Sequence, residues 1–429
     1  MIKVYKTDDF TLNEINLALL PTPEDTKKIQ DLVDSIVNDV RTYGDEAILK
    51  YTRQFDFETA DISNIKVSEQ EIDEAVKSTD KELIRSMERA AENIAKYHEK
   101  QMPQNFLEEF GDGLTLGNRY IPFESAMCYV PTRKASIPSS LLMSTVTAKV
   151  AGVKDIVVSG PAREDGSMPS GVLAAAKVVG ITEIYKLGGA VAMSAFGFGT
   201  KTFPKVDTVV GPANIFGTLA KKSLFGEVGV DGMYGPSEVV VLADGSVDPS
   251  WIATDFLSQS EHGTDSQSVL ITADENYAKA VMTAIEEELE TSPRKEYLQK
   301  SLEDRGAIII TKNLEEGIEM ANILAAEHLE LALTNYEEVL PKIKSAGSIL
   351  CGKYSPVAIG DYFAGPNHVL PTARSARFSS GLSVLNFLKR SSIVIADKSW
   401  IKNNSEDILR LSEHEELVSH GNSVRKRIL

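Results

Sequence analysis

Cysteine is nearly absent from this chain. Its 429 residues hold two, Cys128 and Cys351, far apart and in no CxxC pairing. That excludes a disulfide framework and a thiolate zinc site. It fits a reducing cytoplasm, the expected location, with both thiols acting as small buried hydrophobes. Positive charge is in deficit: the formal net charge of -17 argues against nucleic acid and against anionic membranes as partners. No run approaches the roughly eighteen apolar residues of a membrane span. Met1-Ile2-Lys3-Val4 leads into acidic residues rather than an apolar signal segment. No GxGxxG follows a strand-like run, so the usual dinucleotide fingerprint is missing. Histidine is also rare, with six in all: His98, His262, His328, His368, His414 and His420.

What is present reads as alternating strand and helix. Residues 1–22 form a short arm closing on Pro21-Thr22-Pro23. Ile29, Leu32, Val33, Ile36 and Val40 make one apolar helical stripe, with Gly44 as its terminator. Ser68-Glu69-Gln70-Glu71 is a capping box, predicting a long helix towards Tyr97, with His98 solvated at its end. Between about 120 and 245, three segments echo one another: Asp155 to Ala162, Glu183 to Ala190, and Asp207 to Asn214. Each is an acidic residue, a short apolar strand, then a Gly/Pro crest entering a helix-like run. Starts 28 and 24 residues apart suit successive βα units of a parallel sheet. Ligands bind at such crests, and helix N-termini there can meet phosphate. A second α/β set follows, with strands predicted at 239–243, 268–272, 307–311 and within 329–351. The tail has a helix over 399–411 and little apolar surface of its own, which suits packing on a second subunit.

The chemistry gathers in the second half. Trp251, Ile252, Phe256 and Leu257 predict an amphipathic helix begun by Pro249-Ser250 and ended by Gly263. Gln259 and His262 leave the same face of its last turn. Zinc takes about four N, O or S ligands, and thiolates are not on offer. His262, His420 and Asp361 can supply three and Gln259 the fourth, at spacings too wide for a zinc finger. Glu327-His328 stands at a strand entrance, where the carboxylate can activate water and the imidazole can accept a proton. Read alone, the same residues also fit a polar helix end and a surface pair.

Longer motifs in the same order resemble the histidinol dehydrogenase family over nearly the whole chain. They are Gln259-Ser260-Glu261-His262-Gly263, Ala326-Glu327-His328-Leu329-Glu330, Gly360-Asp361-Tyr362, Gly365-Pro366-Asn367-His368, and Glu415 with His420. Tyr129-Val130-Pro131, Val210-Gly211-Pro212 and Gly235-Pro236-Ser237-Glu238 accompany them. The resemblance implies zinc on Gln259, His262, Asp361 and His420, with Glu327 and His328 as the acid–base pair. Ser237, His368 and Glu415 would contact substrate beside the metal, and Tyr129 and Asn214 would contact NAD. It implies L-histidinol as substrate, oxidised to L-histidine with two NAD in turn. It also implies a homodimer whose C-terminal tail enters the partner's site.

The fold expected is α/β: two incomplete Rossmann-like parallel-sheet domains plus small N-terminal and C-terminal extensions. The arm covers 1–25. The first domain combines 26–128 with 237–382 and carries most metal and catalytic residues. The second, 129–236, binds NAD, and the tail, 383–429, forms the dimer. Departures from the family pattern lie on the cofactor side. Thr132-Arg133 stand where the family has two glycines, Val191 where it has glutamine, and Ala213 where it has glycine. Arg133 can add a phosphate contact, while the lost glutamine removes one hydrogen bond, on the order of 1 kcal/mol. These departures keep two other readings in view: a sibling zinc and NAD dehydrogenase of another polar alcohol, such as a sulfonated diol, and a non-catalytic zinc-binding relative.

Overall fold

A computed structural model describes residues 2–20, 26–133 and 136–429; the expected Pro21-Thr22-Pro23 stop lies outside the described residues. In chain order the strands are β1 (Lys3–Lys6), β2 (Phe106–Glu109), β3 (Leu114–Pro122), β4 (Ser125–Tyr129) and β5 (Asp155–Ser159). Then come β6 (Ile184–Tyr185), β7 (Thr208–Val210), β8 (Gly229–Val230), β9 (Glu238–Ala243) and β10 (Gln267–Thr272). Last are β11 (Gly306–Ile310), β12 (His328–Ala332), β13 (Ser348–Cys351) and β14 (Leu388–Ala396).

Two sheets are parallel throughout. One has six strands in the order β1-β11-β10-β9-β12-β13, and the other five in the order β6-β5-β4-β7-β8. Helices cover both faces, so strands such as Val239–Val240–Val241–Leu242 are buried on both sides and read as unbroken apolar runs. A small antiparallel sheet, β14-β3-β2, joins the tail to residues 106–122. In the five-stranded sheet β5 and β6 lie on one side of β4, and β7 and β8 on the other. That is a topological switch point, and it opens a crevice at the carboxyl ends of β4 and β7.

The three echoing segments are β5, β6 and β7 with their crests, as their spacing predicts. The N-terminal helices are placed differently from the reading that grouped 26–128 with 237–382. Val33, Ile36, Val40 and Ile48 pack with Met127, Tyr129 and Phe196. Ile72, Met87 and Ile94 pack with Leu141, Val146 and Leu173. Both clusters belong to the five-stranded sheet. A helical stripe says that a face is covered, not which sheet covers it. The arm is not separate either, since β1 extends the six-stranded sheet beside β11.

The predicted capping box at Ser68 forms, with Glu71 reaching back. The helix it starts ends at Ser78, and a second, Lys81–Glu99, begins where the Asp80 side chain caps Leu83 N. His98 is fully buried rather than solvated: it continues the inward row Met87, Ala90, Ile94, and its Nδ1 lies 2.7 Å from Gln101 Oε1. Cys128 is buried, Cys351 half-buried, and both are free thiols. No helix among the described residues is long and apolar enough to cross a membrane.

Candidate functional site between the two sheets

The helix Pro249–Ser260 begins as its sequence predicts, with Asp248 as cap and Pro249 in its first turn. Ile252, Phe256 and Leu257 are buried, while Trp251 is exposed. This packing drives the last turn into the protein and takes Gln259 with it, leaving it 1% exposed. Both polar atoms of its side chain, Oε1 and Nε2, are buried without a hydrogen-bond partner among the described residues. A buried amide left so costs about 1–3 kcal/mol, so this arrangement is poised for a ligand. His262, just beyond the helix, is partly exposed as a residue. Desolvation by surrounding protein holds its ring below the usual imidazole range, with Asp361 pulling the other way and His328 adding to the depression.

His328 opens β12. Its Nδ1 lies 3.2 Å from the Glu238 carbonyl and its Nε2 3.3 Å from Asp361 Oδ1. Burial disfavours a charged ring, but the carboxylates of Glu327 and Asp361 outweigh it and raise His328 to about 9. Glu327 points the same way, its Oε2 accepting Glu238 N at 2.9 Å. Burial pushes its carboxyl up to about 7 against the pull of His328 and of that N–H. Asp361 ends the short helix Val357–Tyr362. Burial would raise it, but the hydrogen bond and charge of His328 keep it below the ordinary carboxylate value. His368 closes the group: Nδ1 faces the Asp361 carbonyl at 2.9 Å and Nε2 faces Ser140 Oγ at 3.1 Å.

Of the predicted residues, Glu327, His328 and Asp361 meet at the amino ends of strands of the six-stranded sheet, His262 is near enough to feel Asp361 and His328, and His368 joins them; Gln259 stands three residues before His262 in the chain. Ser237 sits half-buried just before β9. Two groups that sequence reasoning left without a role take part. Glu238 orients Glu327 with its N–H and His328 with its C=O, and Ser140 ties His368 to the helix Pro138–Ala151 that follows β4. Only the Gly235-Pro236-Ser237-Glu238 motif hinted at the first, and nothing marked the second. Glu415 and His420 stand apart. Both are exposed, at and beyond the end of the helix Lys398–His414, and neither bonds to the cluster among the described residues. No group of three or more His, Cys, Asp and Glu side chains among the described residues is placed to hold a metal by itself. The donors this chain offers are one amide, one imidazole and one carboxylate, a set that suits zinc with one position still to fill.

The crevice of the five-stranded sheet faces this cluster. Asn367 Nδ2 donates to Met143 O and Thr147 Oγ1, and Gly235 N bonds Thr372 Oγ1. Gly211, at φ +112, brings the crest of β7 against β4, where a Cβ would lie 2.3 Å from the Tyr129 carbonyl oxygen. Tyr129 is buried, and its hydroxyl accepts Gly189 N at 3.0 Å, leaving its own proton to donate. Asn214 is exposed and caps the next helix through Gly217 N at 3.1 Å. These two donors fit a nucleotide's oxygens. Thr132 is buried, bonded to Pro161 O, Arg133 donates to Phe55 O, and Val191 is sealed inside the helix Gly189–Phe198.

Asp56 adds a negative group at the start of that helix, accepting Gly188 N at 3.0 Å. Burial lifts its carboxyl to about 6, against the Gly188 N–H and Arg133. A carboxyl whose folded pKa exceeds its unfolded value of 3.8 makes folding less favourable as pH rises from about 4 to about 6. Asp56→Asn is therefore expected to be more stable than the parent at pH 8, on the order of 1–3 kcal/mol. In urea titrations that gap is expected to shrink towards pH 4.5; a gap independent of pH would mean the carboxyl is not strained.

A family model described as histidinol dehydrogenase matches residues 21–428. A histidinol dehydrogenase of Carboxydothermus hydrogenoformans is 45% identical over 400 residues, 93% of this chain and 94% of that protein. One of Methanocaldococcus jannaschii is 42% identical over 426 residues, 99% of this chain and 98% of that protein. The crystal structure of histidinol dehydrogenase from Elizabethkingia anophelis superposes with a TM-score of 0.93 at 36% identity, covering 100% of this chain and 98% of that one.

Proposed function

This chain belongs to the histidinol dehydrogenase family, and on that premise we propose that it oxidises L-histidinol to L-histidine through a bound aldehyde, the last step of histidine synthesis. Gln259, His262, Asp361 and His420 of the partner subunit would hold zinc, and Tyr129 and Asn214 would hold NAD. The observation that carries the metal reading is the buried, unpartnered Gln259 amide three residues before His262, whose ring feels the charge of Asp361. Ser237, His368 and the partner subunit's Glu415 are the substrate contacts.

Zinc, when bound, supplies a Lewis-acidic grip on the substrate's imidazole and amine, and NAD accepts the hydride. The chain's own residues move the protons. With Nδ1–H directed at the Glu238 carbonyl, His328 would use Nε2, which faces Asp361 Oδ1 in this chain alone, to accept the hydroxyl proton once the ring is neutral. Asp361 engaged as a metal ligand would pull less strongly on His328, leaving Glu327 as the main group that raises its ring. Glu327 holds Oε2 on Glu238 N and keeps Oε1 to take a proton from water as it adds to the aldehyde. A carboxyl poised at about 7 suits that work near neutral pH. His368, anchored by Ser140, keeps the substrate side of the pocket in place.

Purified zinc-loaded protein given L-histidinol and NAD is expected to form two reduced nicotinamides per histidine. Zinc binding without turnover would overturn the reading, and turnover of a sulfonated diol in place of histidinol would reassign the substrate.

The exposed tail favours a homodimer. Val394, Leu411 and Val418 are 68%, 65% and 66% exposed, an apolar surface that this chain alone leaves uncovered. If the tail is exchanged, mixing inactive His262→Ala and His420→Ala subunits restores one intact site per hybrid. About a quarter of parental activity is expected from a statistical mixture of such twofold assemblies. No recovery after verified subunit exchange would rule the exchange out.

A further inference from the structure

Glu330 follows His328 by two residues on β12, so the two side chains leave the same face of the strand. Glu330 is 5% exposed, and its Oε1 accepts Val357 N at 3.0 Å. Val357 starts the helix that carries Asp361. The residue before it, Pro356, has no side chain able to cap, so a distant carboxyl satisfies this helix's first free N–H. Asp255, on the helix Pro249–Ser260 one turn before Gln259, is near enough to Glu330 for each carboxyl to act on the other.

Two carboxyls this close and this dry do not both ionise. Burial and the charge of Asp255 push Glu330 well above the ordinary carboxylate value, which suits one proton shared between the two carboxyls. The catalytic cluster has few other ties between these elements. The Gln259 side chain makes no hydrogen bond among the described residues, and His328 meets Asp361 at 3.3 Å.

We propose that Glu330 and Asp255 are positioning residues whose carboxyl pair braces the helix Pro249–Ser260, β12 and the helix Val357–Tyr362, holding Gln259, His262, His328 and Asp361 in one preformed pocket. The inference rests on the metal and acid–base reading above for its consequence, but its geometry is independent of that reading.

Glu330→Gln keeps an acceptor for Val357 and a donor for Asp255. Its zinc affinity, measured by competition with a chelating dye, is expected to stay within about threefold of the parent, whereas Glu330→Ala loses about tenfold to a hundredfold. Asp255→Ala, at a half-buried position, removes the other half of the pair and is expected to weaken zinc by about tenfold. It stands in if Glu330→Ala does not fold. A readout free of metal accompanies these: in zinc-stripped protein the Val357 amide exchanges its hydrogen faster in Glu330→Ala than in the parent or in Glu330→Gln. Unchanged zinc affinity in Glu330→Ala, or equal damage in Glu330→Gln, overturns the brace. A parent that binds no zinc, with the Val357 exchange pattern as expected, sinks the metal reading and leaves the brace standing.

Discussion

Glu327→Gln is expected to slow oxidation of the bound aldehyde by roughly 10²–10⁴-fold, the range for removing a positioned general base, while alcohol oxidation changes by less than about tenfold. The asymmetry follows from what each group holds. The glutamine amide oxygen can still accept Glu238 N, which now fixes Glu327 Oε2 at 2.9 Å, so the side chain keeps its place and loses only its basicity. In the proposed mechanism the alcohol step depends on His328, and there the substitution removes one of the carboxylates that hold the imidazole at about 9. A lower His328 pKa favours the neutral ring that accepts a proton. In the parent, the aldehyde step should rise with pH through about 7, as the Glu327 carboxyl ionises, and the variant should lack that limb. Single-turnover assays started from the alcohol and from the aldehyde separate the two steps. Equal slowing of both would mean that Glu327 only supports the fold of the pocket.

Much of this site is legible in the residues alone, because the groups that do chemistry are the ones with few other uses. A polar helix end carrying Gln259 and His262, and a carboxylate and imidazole adjacent at a strand entrance, limit what the pocket can be. The structure joins the imidazole of that strand entrance to Asp361, and Asp361 to His368, at one sheet edge. What escaped is what depends on a second element. The Glu238 backbone works through N–H and C=O groups that every residue owns. Ser140 works through one hydroxyl on a helix whose sequence position says nothing of His368. His98 looked solvated from its charged neighbours and is buried because helical phase, not local polarity, turns it inward. The stripes on the N-terminal helices were visible, but their covering sheet was not, since burial needs only an apolar partner. His420 groups with the metal set by residue type, yet in this chain it is exposed and bonds to none of the cluster among the described residues.

Lys221→Met should cost about 3–5 kcal/mol of stability, the range for breaking one side of a buried ion pair. Lys221 and Asp231 are both fully buried, their Nζ and Oδ1 2.6 Å apart. Nothing in this network is left over. Lys221 Nζ also donates to Gly211 O at 2.6 Å, and Asp231 Oδ2 accepts Gly211 N at 2.6 Å while Oδ1 accepts Gly232 N at 2.9 Å. The Tyr234 ring lies 5.0 Å from Nζ. Removing the ammonium strands a carboxylate with no water to hydrate it, and a fall of roughly 10 °C in the thermal midpoint follows at this domain size. Lys221→Met combined with Asp231→Leu should lose less than the two single costs added, because neither charge is then abandoned. It should still fall short of the parent, because both polar groups of Gly211 lose their partners. Gly211 is where β7 turns against Tyr129, three residues before Asn214, so the variants also test the crevice. NAD affinity measured by calorimetry is expected to drop in the single and the double variant alike, since both release the crest. A midpoint shift of less than about 2 °C in Lys221→Met, or unchanged NAD binding in both, would mean that the pair neither stabilises this domain nor shapes its cofactor edge.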